Sequence, residues 1–99
     1  MEFKSVMQED DCSCYLCGRN GQSDHLETHH VFNASNKKHS EKYGFLVKLC
    51  GERCHRNGRE SVHRNIHVNN YVRRNAQKIY EERYGTREDF IREFGRSYL

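Results

Sequence analysis

The side chains best suited to chemistry in this sequence are five cysteines and seven histidines. Cys14-Tyr-Leu-Cys17 is a pair with two intervening residues, followed by Gly18; Cys50-Gly-Glu-Arg-Cys54 is a second pair with three. Four thiolates can enclose one Zn²⁺ tetrahedrally at Zn–S of about 2.3 Å, and two closely spaced pairs on turns are how a chain presents them. The wider second gap leaves His55 as an alternative ligand to Cys54. Cys12 reads as an ordinary thiol or a ligand competing with Cys14. A redox Cys-x-x-Cys would need a thioredoxin-like strand-to-helix setting, which this stretch lacks.

The histidines form a second group. His29 and His30 are adjacent, His55 follows Cys54, and His63 and His67 stand four apart. Imidazole is the commonest transition-metal ligand and moves protons near neutral pH. Taken singly, a histidine is more often a surface residue than a ligand. The conjunction carries weight: a cysteine pair, then His-His, then Cys-His after the second pair.

The elements that must position these residues follow from pattern. Leu26 to Phe32 predicts a short strand, and Gly44 to Cys50 a second, with Phe45, Val47 and Leu49 alternating. Asn33 to Tyr43 is polar and predicts a loop. Cys12 to Gly21 and Gly51 to Gly58 predict turns. Ser61 to Tyr84 contains a long helix, whose Val68, Val72, Ala76, Ile79 and Tyr80 share one face. Gly85 stops it. Thr86, with Asp89 three residues on, opens a last helix bearing Phe90, Ile91 and Phe94 and ending at Gly95. If the two cysteine pairs share one ion, Cys17 and Cys50 are drawn together. The strands then close into a hairpin, and His29 and His30 approach His55 and His63. The expected class is α+β, a single domain over 1–99, with residues 1–11 a loose arm.

Bulk composition agrees with a metal staple. A 99-residue domain buries only about 60–65% of the surface its unfolded chain exposes, and only 34% of these residues are hydrophobic. Such cores need reinforcement. Met1 to Ser5 lacks the apolar run of a signal peptide, and no stretch approaches the roughly 20 apolar residues of a membrane span. A cytoplasmic protein is therefore expected, where closely spaced cysteines bind metal more often than they form disulfides. Net charge is +3, and between Arg53 and Arg74 stand six arginines and one acid, Glu60. That excess suits a phosphate backbone, and equally a solvated helix face.

At these residues the chain resembles the HNH (His-Me finger) endonuclease family. The resemblance runs through Cys14-x-x-Cys17, Leu26-Glu27-Thr28-His29-His30-Val31, Leu46-Val47-Lys48-Leu49-Cys50, Cys54-His55 and Ser61-Val62-His63. The tail from Ile79 to Phe90 looks like that of small phage and prophage HNH-type proteins. What the resemblance implies is a ββα-metal fold, in which a hairpin and a helix clasp one catalytic divalent ion. It implies His29 as metal ligand, His30 as general base, and His55 and His63 as further ligands, with His67 in reserve. It implies DNA as substrate, gripped mainly by its backbone, with phage or host DNA-processing proteins as possible partners. Where the family carries a middle asparagine, this chain has Tyr43-Gly44-Phe45.

The chemistry so implied is phosphodiester hydrolysis. His30 would take a proton from water. The ion would be Mg²⁺, Mn²⁺, Ni²⁺ or Zn²⁺, separate from the structural zinc. Arg56, Arg59, Arg64, Lys37 and Lys38 would contact phosphates. The rival expectation is a zinc-stapled binding or phage assembly module that keeps the fold without cutting.

Overall fold

The computed structural model describes residues 3–99, so Met1 and Glu2 of the expected arm lie outside the described residues. The fold is α+β. Strands β1 (Leu26–His30) and β2 (Leu46–Cys50) pair antiparallel in a two-stranded sheet, and helices α1 (Lys37–Tyr43), α2 (Ile66–Arg83) and α3 (Arg87–Phe94) follow in chain order. The register sets Leu26 opposite Cys50 and His29 opposite Val47. Among the described residues no helix is long and apolar enough to cross a membrane.

Alternation along β2 buries Val47 and Leu49, which with Phe45 line the sheet's inner face. Across them lies the apolar stripe of α2, where Val72, Ala76 and Tyr80 are buried. The helix lies within the expected 61–84 stretch, and the Asn65 side chain, which accepts from the backbone N–H groups of His67 and Val68, fixes its start at Ile66. α3 opens on a complete Thr86/Asp89 capping box and closes at Gly95, as its pattern predicts. Its Phe90 and Phe94 pack on Phe32, with ring centroids 5.7 and 4.5 Å away. Ile91, read as part of that apolar side, is 39% exposed.

The segment expected to be a loop, 33–43, is helical. A 3₁₀ turn over Ala34–Asn36 leads into α1. Ser40 is its one buried residue; its hydroxyl donates to the Phe32 carbonyl at 2.6 Å and accepts from the Phe32 N–H at 2.9 Å. Gly44 ends the helix in a left-handed conformation, φ 76°. A Cβ there would also press on the backbone of Lys4 and Val6.

That contact marks another difference. Residues expected as a loose arm are tied along the outer edge of β2. The Ser5 hydroxyl donates to Leu46 O, Val6 N–H donates to Gly44 O, and Lys48 N–H donates to the Gln8 side chain. Leu46 and Lys48 have outward-facing backbone groups that would otherwise form an open sheet edge.

α1 is anchored from behind by a carboxylate. Tyr43 and Tyr80 both donate their hydroxyls to Glu93, at 2.6–2.7 Å. Burial alone would raise the Glu93 carboxyl, but these two donors, helped by the nearby Lys42 ammonium, outweigh it and hold the group below its ordinary range. Hydrogen bonds to a charged partner are worth about 1.5–3 kcal/mol. We expect Glu93→Ala to cost about 2 kcal/mol at neutral pH, read by urea denaturation. A depressed native value means the contribution is complete at neutral pH and lost as pH falls through that value. An unchanged midpoint at pH 7 would remove this clasp from the account.

Candidate metal centres and histidine groove

The sulfurs of Cys14, Cys17, Cys50 and Cys54 all lie within 4.8 Å of one another, and Cys17 and Cys50 are 3.5 Å apart. Corners of a tetrahedron with Zn–S of about 2.3 Å stand about 3.8 Å apart, so the cluster is sized for one such ion. The three-residue gap in the second pair has a structural cause. Gly51–Arg56 is a π-helical turn, in which Asn57 N–H reaches back five residues to Glu52 O. Its wider coil absorbs the extra residue and still returns Cys54 to the sulfur of Cys50. Asp24 caps the turn by accepting from Glu52 N–H and Arg53 N–H at 3.0 and 2.9 Å. Gly58 closes it, since a Cβ there would overlap the Arg53 carbonyl.

The electrostatics of the cluster call for a cation. Burial raises the Cys14 thiol, but backbone N–H groups of Cys17, Cys50 and Leu16 outweigh burial and draw it down to about 7. Cys50 and Cys54 are pushed the other way, by burial first and by the neighbouring sulfurs second. Four thiolates cannot coexist there unless a positive ion offsets them. Cys12 stands apart, exposed, with its sulfur on Asp11.

The imidazoles of His29, His55 and His63 meet in a second cluster, their ligand-capable nitrogens also within 4.8 Å of one another. Ring centroids are 5.0 Å apart for His29–His55, 4.8 Å for His55–His63 and 5.8 Å for His29–His63. His29 comes from β1 and His55 from the π turn. His63 is delivered by a chain reversal in which Val62 N–H donates to Cys54 O and His63 N–H to His55 O. His29 is buried, and its Nε2 has no hydrogen-bond partner. Burial, then the nearby His55 and His63, press its ionisation down to about 3. His63 is lowered too, by burial and by His55. Near neutral pH His29 is thus a neutral base with an unpartnered buried nitrogen, which is costly unless something binds it. A divalent ion suits that donor set.

Glu27 was not singled out from the sequence, yet its Oε1 lies 2.8 Å from His55 Nδ1. A carboxylate only accepts, so Nδ1 carries the proton and Nε2 is left to bind metal. That hydrogen bond is also the largest cause of the lowered Glu27 carboxyl. Strand alternation gives the signal that could have found it, because residue 27 shares a face with residue 29. Carboxylates that orient metal-bound histidines typically matter 10–100-fold in affinity. We expect Glu27→Gln to weaken Zn²⁺ or Ni²⁺ binding at the histidines by about tenfold, read by calorimetry with the cysteine site already filled. Unchanged affinity would contradict this.

His30 lies at the end of β1, where the chain leaves the strand, so it lines the same open groove of ≈ 250 Å³ as His29, His55 and His63. Its Nε2 sits 3.0 Å from Oε1 of Glu41 on α1. By the same logic Nε2 carries the proton and Nδ1 is the basic nitrogen. Thr28, Asn33 and Lys37 complete the groove.

The other expected contacts scatter. His67 lines a different cavity, together with Arg59. Arg56 is held between Glu27 and Glu52, at 3.2 and 3.1 Å. Arg64 donates to Asn57 O on the surface, and Lys38 is exposed on α1. No family model, curated protein or solved structure matches the chain.

Proposed function

We propose that the chain is a metal-dependent DNA endonuclease of the HNH (His-Me finger) type, stapled by one structural zinc on Cys14, Cys17, Cys50 and Cys54. The observation that carries this reading is the buried, neutral, unpartnered His29 imidazole facing His55 and His63 in one groove with His30. An unpartnered buried nitrogen is costly unless an ion binds it, and an ion in that groove is what the proposed hydrolysis uses.

His29, His55 and His63 would hold a divalent ion, which would supply charge stabilisation at the scissile phosphate and at the departing oxygen. His30 is the general base. Its Nε2–H donates to Glu41, so the lone pair on Nδ1 accepts a proton from the attacking water. Glu41 then balances the imidazolium that forms. Lys37, in the same groove, offers a cation to a flanking phosphate. Arg64 and Lys38, exposed nearby in sequence, would add backbone contacts whose strength falls with salt.

A second reading has a specific observation behind it: no asparagine stands at Tyr43-Gly44-Phe45, where the resembling family carries one. A DNA-binding or assembly module without cutting activity would tolerate that loss. The deciding experiment is cleavage of supercoiled plasmid by the zinc-stapled protein with Mg²⁺, Mn²⁺, Ni²⁺ or Zn²⁺ added, beside His30→Ala. The nuclease reading requires metal-dependent cutting by the parent. No cutting with any ion, together with salt-sensitive DNA binding, would leave the second reading.

A further inference from the structure

A cavity of ≈ 600 Å³, more than twice the ≈ 250 Å³ of the groove at His29, His55 and His63, lies on the other side of the π turn. Neighbouring residues of that turn face the two sites, Cys54 toward this cavity and His55 toward the groove. Leu16 and Val68 form part of its wall, with the ring of Tyr71, which is 49% exposed. Arg53 and Arg59 supply its cations, and His67 lines it beside them. Neither guanidinium has a side-chain hydrogen bond or ion pair among the described residues, whereas Arg56, Arg87 and Arg92 are each paired with a carboxylate. The one acid on the rim, Glu60, faces the Asn65 amide at 3.3 Å.

We propose that this cavity binds an unpaired stretch of the nucleic-acid substrate, with a base stacked on Tyr71 and adjoining phosphates on Arg53 and Arg59. The inference rests on the nuclease reading, which supplies the polymer, and it adds that the substrate presents single-stranded nucleotides beside the cutting site. Size, aromatic wall and cations all point this way. Ligand sites span about 300–1,000 Å³, far more than a lone ion needs. Base–aromatic stacking with a cationic track for the backbone is how single strands are held, and arginine's planar fork matches phosphate. A stacked duplex offers no free base face to Tyr71. An acidic peptide would satisfy the cations, but it lacks the repeating pairing of flat ring and phosphate that Tyr71 and the two arginines present together.

The test uses the full chain carrying His30→Ala, loaded with zinc, so that binding is read without cutting. A fluorescent oligo-dT and a 2-aminopurine oligonucleotide serve as probes, with a duplex of equal length for comparison. We expect the single strands to bind more tightly than the duplex, and 2-aminopurine to be quenched. Tyr71→Ala should weaken binding by about 5- to 150-fold and abolish the quench, while Tyr71→Phe retains both. Arg53→Gln and Arg59→Gln should each reduce the slope of log affinity against log salt by about 0.7. Tyr71 is half exposed, and an unchanged melting curve confirms that each variant folds.

Single-strand affinity indifferent to Tyr71→Ala overturns the assignment, as does duplex binding of equal strength. A tyrosine-containing acidic peptide that binds more tightly than the oligonucleotide, in a Tyr71-dependent way, assigns the cavity to a protein partner and overturns it too. The two readings fail separately. Plasmid cutting by the parent with Tyr71-independent binding sinks only this inference; Tyr71-dependent binding without cutting sinks only the nuclease.

Discussion

Stripping metal from the purified protein is expected to abolish its cooperative fold. Structural zinc contributes about 10–16 kcal/mol in small zinc-binding peptides at neutral pH, and whole domains have net stabilities of only about 5–15 kcal/mol. The apolar interior here is a thin layer of β2, one face of α2 and the aromatic ends of α3. The cysteine cluster joins the Cys14/Cys17 pair to the end of β2, closing a loop of chain between Cys17 and Cys50 that contains the whole hairpin. Without a cation, Cys50 and Cys54 are forced to stay protonated by burial and by their sulfur neighbours, and the backbone N–H groups aimed at Cys14 lose their charged partner. Chelation should therefore remove the thermal transition in circular dichroism, and zinc should restore it. A chelator also strips the histidines, so variants separate the two sites. Cys50→Ser and Cys54→Ser should behave like the chelated parent, whereas Cys12→Ser, on an exposed sulfur beside Asp11, should melt like the untreated parent. A chelated protein that keeps its transition would sink the staple.

How far the sequence disclosed this arrangement depended on how each residue earns its place. The cysteine pairs were readable because metal ligation demands a residue type at short spacing, and the hairpin because burial on one side of β2 enforces alternation at Phe45, Val47 and Leu49. The capping box of α3 was readable because it is chemistry local to four residues. α1 was not, because it buries only Ser40 and is held by that hydroxyl rather than by an apolar stripe. A polar stretch of seven residues carries no periodic signal, and Gly44, which ends the helix, reads from the sequence as the start of the second strand. The anchoring of Ser5 to Gln8 was hidden for a similar reason: its partners are backbone groups of β2, which any sequence possesses. The turn after Cys50 was readable, but its π form showed only as an anomaly, the third residue between Cys50 and Cys54. Glu27 and Glu41 show the same division. The first lies in register with His29 and was findable by counting in twos. The second depends on an unforeseen helix folding back over the end of β1.

That helix bears on the second large effect, the loss of cutting expected in His30→Ala. General-base catalysis contributes about 10²–10⁴-fold, so plasmid cleavage should fall by that factor at saturating metal. The fold and metal content should not change. His30 is at the strand's last position, its side chain bonds only Glu41 among the described residues, and the three converging imidazoles belong to other positions. His29→Ala should instead lose the second ion, so metal content distinguishes the two variants even if both are inactive. Glu41 sits between these cases. In the proposed reaction it would touch no reacting atom; its hydrogen bond to Nε2 would fix which nitrogen of His30 is basic. Losing one charge-assisted hydrogen bond of about 1.5 kcal/mol corresponds to roughly tenfold in rate, so Glu41→Ala should cut about tenfold more slowly. Glu41→Gln, whose carbonyl can still accept from Nε2–H, should recover part of that loss. A merely structural role for Glu41 would move the melting temperature instead and leave Gln and Ala alike. The base assignment stands on His30 and fails if His30→Ala cuts at the parental rate, because no other imidazole in the groove is both free of the metal cluster and held by a carboxylate.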